Sequence, residues 1–157
     1  YARARQMGLN TGAHAGEAAG ADSVRETLDV LKVDRIGHGV RAIEDLALMD
    51  RLAEARVPLE VCPLSNVATS VVADIALHPV RKLWDHGVCV TINTDDPGMF
   101  HNSLADEFAV LHEVFGFSAH EIRQLILNAI DASWQSEACK DELLAVCRGD
   151  PAWLAEP

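Results

Sequence analysis

The sequence has neither a paired-cysteine motif nor a long apolar run. Its four cysteines, Cys62, Cys89, Cys139 and Cys147, include no C-x-x-C pair, and two of them lie in apolar segments typical of buried strands. We therefore expect reduced thiols in a cytoplasmic protein, and no zinc site of the P-C-x-x-C type. No apolar run approaches the roughly 18 residues that span a membrane, so no membrane association is expected.

Basic residues are scarce relative to acidic ones. Thirteen Lys and Arg stand against 24 Asp and Glu, which gives a formal net charge of -11. Such a surface repels phosphate backbones and anionic lipids, so nucleic acid is not an expected partner. The same surface tolerates a neutral nucleoside or base and attracts a divalent cation. No feature of the sequence sets the number of subunits.

Short apolar or β-branched segments alternate with segments of helical periodicity. The predicted strands are Leu9 to His14, Arg35 to His38, Leu59 to Pro63 and Val88 to Thr94. This alternation is typical of βα units and predicts an α/β fold with a parallel sheet. The 157 residues are expected to form a single domain, residues 1–157, shorter than the roughly 250 residues of a complete eight-stranded βα barrel.

Helices are predicted between these strands and after the last one. The first residues, YARARQMG, are typical of the end of an amphipathic helix in a chain that continues upstream. The others are Asp22 to Leu31 with Asp22 or Ser23 as N-cap, Ile43 to Ala55, a short helix from His78-Pro79 ended by Gly87, Leu104 to Phe115, a helix from Ser118 with a Ser118–Glu121 capping box, and a tail helix around Asp141 to Val146.

Polar residues follow each predicted strand, in the segments HAGE, GHG, EVCPLSN and NTDDP. The carboxyl ends of parallel strands meet at one mouth, where βα folds place their active sites. His14 is a candidate zinc ligand, and Glu17 could handle the proton of a water beside the metal. A histidine that is only hydrogen-bonded to its neighbours is the alternative interpretation of His14.

Three further residues at this mouth have two interpretations each. Alternation along a strand would point Asp95 and Asp96 to different sides, so one could bind a metal and the other a ligand; a simple Asp-Asp-Pro-Gly turn is the alternative. His38 lies between two glycines and could serve as a catalytic base or electrostatic stabiliser, or could be a buried histidine bonded to a backbone carbonyl.

The other polar residues are given structural roles. Ser65 and Asn66 are predicted to shape a loop, and Cys62 is predicted to belong to the core. Surface or capping positions are predicted for His78, His86, His101, His112 and His120.

Taken together and in order, HAGE (14–17), RIGHG (35–39), PLEVCPLSN (58–66) and TINTDDPGMF (91–100) resemble the adenosine deaminase family of the amidohydrolase superfamily. The resemblance runs from about Leu9 to the helix over 128–134. It implies a (β/α)8 TIM barrel, of which this chain supplies the carboxyl-terminal half with strands five to eight. It also implies hydrolytic deamination of an adenine ring with release of ammonia.

The resemblance implies a role for each motif residue. His14 and Asp95 would bind Zn²⁺, and Glu17 would protonate the purine ring at N1. His38 would orient the attacking hydroxide and assist its formation. Asp96 would hold the purine at N7, and Gly16 would belong to the substrate-binding set.

The chain departs from the family pattern because no H-x-H occurs in it, whereas the family's first strand carries an H-x-H pair with two further zinc ligands. The family's glycine loop after the fourth strand is absent as well. We therefore expect the isolated chain to be a fragment without full activity. Loss of the H-x-H pair also leaves open a non-catalytic role for a truncated barrel half.

The substrate expected from the sequence is adenosine or 2′-deoxyadenosine. Gly37 before the histidine favours this branch, since the adenine-specific branch tends to carry aspartate there. Free adenine, or a modified nucleoside such as aminodeoxyfutalosine, is the alternative.

Overall fold

The computed structural model describes residues 1–154 and contains one parallel sheet of four strands. The strands are β1 (Gly12–Ala15), β2 (Arg35–His38), β3 (Leu59–Val61) and β4 (Val90–Ile92). Their order is β1-β2-β3-β4, so each strand pairs with the next one in the sequence. The carboxyl ends of all four strands therefore lie along one edge of the sheet.

Helices connect the strands and follow the last of them. A π-helical turn at Thr27–Leu31 prolongs the second helix, and 3-10 turns occupy Val40–Glu44 and Ile75–Leu77. The α-helices are α1 (Ala2–Gln6), α2 (Ala21–Glu26), α3 (Leu46–Ala55), α4 (Pro63–Ala68), α5 (Val80–Asp85), α6 (Pro97–Phe100), α7 (Leu104–Phe115), α8 (Ala119–Ala132), α9 (Glu137–Gly149) and α10 (Pro151–Leu154).

The core lies between the sheet and the helices that pack on it. Its fully buried side chains include Ile36, Leu59 and Val90 from the strands and Leu52 from α3. Burial of one such side chain stabilises the fold by about 1.5–3 kcal/mol. Asn128 of α8 also donates a hydrogen bond of 3.0 Å to the carbonyl of Val90, which fixes this helix against β4.

The predicted parallel α/β sheet is confirmed, and β2 has the predicted bounds. The other strands are shorter. β1 starts at Gly12, because the Leu9 amide donates to the Ala4 carbonyl and completes the turn after α1. β3 ends at Val61, since Pro63 already opens α4. β4 starts only at Val90, because the Val88 amide donates to the Leu83 carbonyl behind α5.

Several helix boundaries are as predicted. α7 spans Leu104–Phe115, and α8 begins with the Ser118–Glu121 capping box. Gly87 follows α5 with a φ of 88°, the left-handed conformation expected of a helix-ending glycine.

Three helix predictions were wrong in detail. Gly20, and neither Asp22 nor Ser23, is the N-cap of α2, and the segment after Glu26 is a π-helical turn. The predicted helix from Ile43 is divided at Asp45, whose side chain accepts a hydrogen bond from the Leu48 amide and starts α3 there. α9 is longer than the predicted Asp141 to Val146, because Ser136 caps it at its true start.

All four cysteines lie in the described part of the chain and none forms a disulfide bond. Burial raises the pKa of Cys62 to about 12, so its thiol stays protonated as a core residue. Within residues 1–154, no helix combines the length and apolarity needed to cross a membrane. The predicted domain boundary at 157 lies outside the described residues.

Candidate active site

The carboxyl ends of the strands surround one cavity of about 360 Å³. β1 contributes His14, β2 contributes His38, and Asp95 follows β4. The convergence of strand ends on one mouth, expected from the sequence, is therefore present. The rest of the lining consists of Gly37, Glu60, Cys62, Ile92, Asn93, Thr94 and Leu104.

The two histidines of the cavity lie side by side. The ring centroids of His14 and His38 are 4.9 Å apart with an interplanar angle of 60°. Gly37, which pairs with His14 in the β1–β2 register, leaves the room for this contact. A Cβ atom on Gly37 would be only 2.9 Å from Nδ1 of His14. The position therefore requires glycine if the His14 ring is to keep its place.

His38 is the most buried polar residue of the cavity, with 2% of its surface exposed. Its Nε2 atom is 3.4 Å from Oε2 of Glu17 and 3.9 Å from Oδ2 of Asp95. Burial lowers the pKa of His38, and the carboxylate of Glu17 acts in the opposite direction. The structure thus brings together His14, Glu17, His38 and Asp95.

The chain turns through left-handed backbone conformations at three of these strand ends. The φ angles are 64° at Gly16, 61° at His38 and 60° at Asp95. A Cβ atom on Gly16 would be 2.5 Å from Cγ2 of Val24, so only glycine fits there. For His38 and Asp95 the conformation costs roughly 1–3 kcal/mol each, and such strain is often retained where a side chain is needed for function.

Asp95 and Asp96 point in different directions, but β4 ends at Ile92, so strand alternation is not the reason. Oδ2 of Asp95 accepts a hydrogen bond of 2.6 Å from Ser65 at the cavity. Asp96 caps α6 instead, and its Oδ1 atom accepts from the Met99 amide at 3.0 Å. The predicted turn is therefore present. Asp96 does not line the cavity, and contact between Asp96 and a substrate stays a prediction.

Ser65 and Asn66 do not shape a loop, contrary to the sequence-based prediction. Both are fully buried in α4, directly behind the cavity. Asn66 Nδ2 lies 3.1 Å from His38 Nδ1, and Asn66 Oδ1 lies 3.1 Å from His78 Nε2. His78 is therefore also buried, with 4% exposure, and is not a surface residue. One feature of the sequence could have indicated this role: Ser65 and Asn66 are two consecutive polar residues shortly after β3, a strand that ends at the cavity.

Glu107 on α7 is a second buried group that the sequence did not reveal. It accepts hydrogen bonds from the Leu64 amide at 3.2 Å and from Asn102 Nδ2 at 2.8 Å. Asn102 also donates to the carbonyl of Thr94, next to Asp95. Burial raises the pKa of Glu107 to about 7. Glu107 therefore ties α7 both to α4 and to the segment that carries Asp95.

His101, His112 and His120 are exposed and His86 is half-buried, in agreement with the predicted surface or capping positions. His86 lies 2.7 Å from a carboxylate oxygen of Asp50. His112 Nδ1 is 2.9 Å from the Phe117 carbonyl at the end of α7.

The cavity contains the chemical types of ligand that zinc prefers. His14 provides an imidazole nitrogen and Asp95 a carboxylate oxygen. In residues 1–154, however, no three His, Cys, Asp or Glu side chains are arranged to hold a metal ion. Catalytic zinc usually has three protein ligands, so these residues fit part of such a site and leave the remainder to be supplied from elsewhere.

Comparison with known proteins gives closely related sequences and folds. The chain is 52% identical over 141 residues to an adenine deaminase of Sinorhizobium fredii, covering 90% of this chain and 44% of the relative. The crystal structure of an adenine deaminase from Arthrobacter aurescens superposes with a TM-score of 0.88 at 43% identity, covering 92% of this chain and 44% of that one.

An amidohydrolase from Burkholderia ambifaria with bound Zn superposes with a TM-score of 0.82 at 30% identity, covering 96% of this chain and 41% of that one. The chain thus spans less than half the length of the relatives it matches, and its four βα units form half of a TIM barrel. The family model described as adenosine deaminase matches residues 1–148. The chain therefore belongs to the adenosine deaminase family.

Proposed function

We propose that the full-length protein containing this chain is an adenine deaminase, with this chain as the carboxyl-terminal half of its barrel. Water would add at C6 of the base, the bond from C6 to the exocyclic nitrogen would break, and ammonia would leave, giving hypoxanthine. The observation that carries the proposal is the 52% identity to an adenine deaminase over 90% of the chain.

Free adenine replaces adenosine as the favoured substrate. The sequence favoured the nucleoside on the basis of Gly37 alone. The similarity to adenine deaminases from Sinorhizobium and Arthrobacter supports free adenine as the substrate of the full-length protein. The structure also gives Gly37 a role unconnected with the sugar, because the His14 ring occupies the space that a side chain would need.

Zn²⁺ would be held by His14 and Asp95 together with ligands from the amino-terminal half. Two observations support this assignment: both side chains line the same cavity, and a related amidohydrolase contains bound Zn. When bound, zinc supplies a Lewis acid that lowers the pKa of a water molecule to about 7, so that hydroxide is available at neutral pH.

The side chains of this chain would then orient the base and move its protons. Glu17, with its carboxyl group 3.4 Å from His38 and about a quarter exposed, would protonate N1 as the ring accepts electrons. His38 would orient the attacking oxygen. Asp96 has one oxygen engaged by the Met99 amide, so its other oxygen would contact N7. The backbone at Gly16 would lie against the base.

The test is a comparison of adenine, adenosine, 2′-deoxyadenosine and a modified adenine nucleoside on the zinc-loaded, full-length protein. Ammonia release and the loss of adenine absorbance would be followed together. We expect a kcat/KM for adenine at least about 100-fold above that for adenosine. A preference for adenosine would overturn the choice of substrate. Absence of turnover with zinc bound would instead support the non-catalytic alternative.

A matched pair of variants tests the role of Glu17. Glu17→Gln is expected to lower kcat by about 10²–10⁴-fold, because it removes the acid while retaining shape. Glu26→Gln makes the same change at an exposed site on α2 and should leave kcat unchanged. Equal kcat for the two variants would exclude Glu17 as the acid.

A further inference from the structure

A buried chain of hydrogen bonds runs from the backbone of α5 to His38. The Val80 amide donates to His78 Nδ1 at 3.1 Å. His78 Nε2 lies 3.1 Å from Asn66 Oδ1, and Asn66 Nδ2 lies 3.1 Å from His38 Nδ1. His78, Asn66 and His38 are all at most 4% exposed, so water does not compete for these contacts.

The direction of this chain is fixed at its backbone end. A backbone N–H can only donate, so His78 Nδ1 must accept and carries no proton. Burial lowers the pKa of His78 to about 4, which keeps the imidazole neutral near pH 7. A neutral imidazole has one protonated nitrogen, so the proton of His78 is on Nε2 and is donated to Asn66 Oδ1.

The hydrogen bond between Asn66 and His38 fixes the position of the His38 proton as well. With its oxygen facing His78, Asn66 directs its Nδ2 atom at His38 Nδ1, which must accept. Reversal of the amide is excluded, since both nitrogens of His78 would then have to accept, and a neutral imidazole has one acceptor only. A neutral His38 therefore carries its proton on Nε2, the nitrogen that faces Glu17 and Asp95.

We propose that His78 is a positioning residue which, through Asn66, fixes the Nε2–H tautomer of His38. In this tautomer a neutral His38 has no lone pair on Nε2 with which to take a proton. It presents a hydrogen-bond donor to an oxygen at the cavity. The tautomer follows from the hydrogen bonds alone, whereas its consequence for catalysis rests on the proposed deamination.

The experiment is a long-range ¹H–¹⁵N correlation spectrum of the full-length, zinc-loaded protein labelled with ¹⁵N-histidine, at about pH 8, where ordinary histidines are neutral. His38 and His78 should both show protonated Nε2 and unprotonated Nδ1. His112 is an internal reference for the opposite tautomer, because its Nδ1 faces the Phe117 carbonyl, which can only accept. Loss of the corresponding signals in single His→Gln variants assigns them.

The variant Asn66→Asp replaces the hydrogen-bond donor that faces His38 Nδ1 by an acceptor, with almost no change in the shape of the side chain. A carboxylate only accepts, so the proton of His38 should move to Nδ1. If His38 is protonated on Nδ1 in the unsubstituted protein, the proposal is overturned whether or not the variant folds. Retention of the Nε2–H signal in folded Asn66→Asp would also overturn it.

Activity gives a second, separable readout. Because the wrong tautomer presents a lone pair where a donor is needed, we expect Asn66→Asp to lower kcat about 100-fold or more with little change in KM. An unsubstituted protein with the Nε2–H tautomer but no deaminase activity would contradict the proposed function and leave the tautomer assignment standing. Full kcat in Asn66→Asp with a reversed tautomer would overturn the positioning role.

Discussion

The hydroxyl group of Ser65 donates a hydrogen bond of 2.6 Å to Oδ2 of Asp95, thirty positions further along the chain. It joins the first turns of α4 to the segment after β4 and leaves the other oxygen of Asp95 available to a metal ion. Partners of this kind orient a ligand and typically account for a 10–100-fold difference in metal affinity.

Ser65→Ala should therefore weaken zinc binding by the full-length protein by about 10–100-fold, measured by competition with a chelator. Ser118→Ala is the control, because it removes a hydroxyl that caps α8, at a cost of about 1 kcal/mol of stability, and Ser118 does not line the cavity. Unchanged zinc affinity in Ser65→Ala, or an equal loss in Ser118→Ala, would contradict a specific role for Ser65.

Gly37→Ala should lower the zinc content of the purified protein, because the new methyl group would lie 2.9 Å from Nδ1 of His14 and push that ring away. Gly12→Ala is a matched change in the adjacent strand, where the nearest atom would be at an ordinary 3.6 Å. Metal analysis of both proteins is the measurement. Full zinc occupancy in Gly37→Ala would show that His14 is not a ligand or that its ring can shift freely.

Gly16→Ala and Gly116→Ala separate backbone strain from steric conflict. Both glycines are left-handed, with φ angles of 64° and 66°. A Cβ on Gly116 meets no atom within 4 Å, so the change should cost only about 1–2 kcal/mol of unfolding free energy. Gly16→Ala adds the contact with Val24 and should cost more, at least about 3 kcal/mol. Equal losses in urea unfolding would mean that the Val24 side chain moves aside.

His78 and Glu107 should give opposite slopes to the pH dependence of stability. The pKa of His78 is lowered to about 4 by burial, so the unfolded chain binds more protons below about pH 6.5. The contribution of His78 is then fully present above about pH 6.5, and roughly 3 kcal/mol is lost as the pH falls towards 4. Glu107, whose pKa is raised to about 7 by burial, contributes fully below about pH 4.5 and loses its contribution as the pH rises to 7.

Urea unfolding of the full-length protein between about pH 4 and 8 distinguishes these contributions. In His78→Gln the contribution of Glu107 remains, so the free energy of unfolding should fall as the pH rises. In Glu107→Gln the contribution of His78 remains, so the free energy of unfolding should rise with pH. Identical pH profiles for the two variants would contradict both assignments.

Much of the fold was predictable because local chemistry sets it. The β-branched and apolar runs located the strands, and Ser118 with Glu121 located the start of α8. Strand limits were predicted wrongly where a backbone amide donates its hydrogen bond to a neighbouring turn and not to the adjacent strand, as the Val88 amide does to the Leu83 carbonyl. Such a hydrogen bond depends on the three-dimensional path of the chain and has no signature in periodicity.

The residues of the candidate site also fall into those that local sequence indicates and those that only the fold reveals. His14, His38 and Asp95 were found because they follow strands, and strand ends converge in any parallel sheet. Asn66 was assigned to a loop and His78 to a surface or capping position. Their pairing was missed because it depends on where α4 and the residues before α5 lie relative to β2. Glu107 belongs to an ordinary amphipathic helix, and only the fold shows that it is buried.

The left-handed backbone of Asp95 has a consequence for protein engineering. Glycine at this position would relieve roughly 1–3 kcal/mol of backbone strain. It would also leave the hydroxyl group of the buried Ser65 without its acceptor, at a similar cost of about 1–3 kcal/mol. The net change in stability should therefore be small, so that a library screened for heat resistance alone would not retain the carboxylate. A screen for robust variants has to include a selection for turnover.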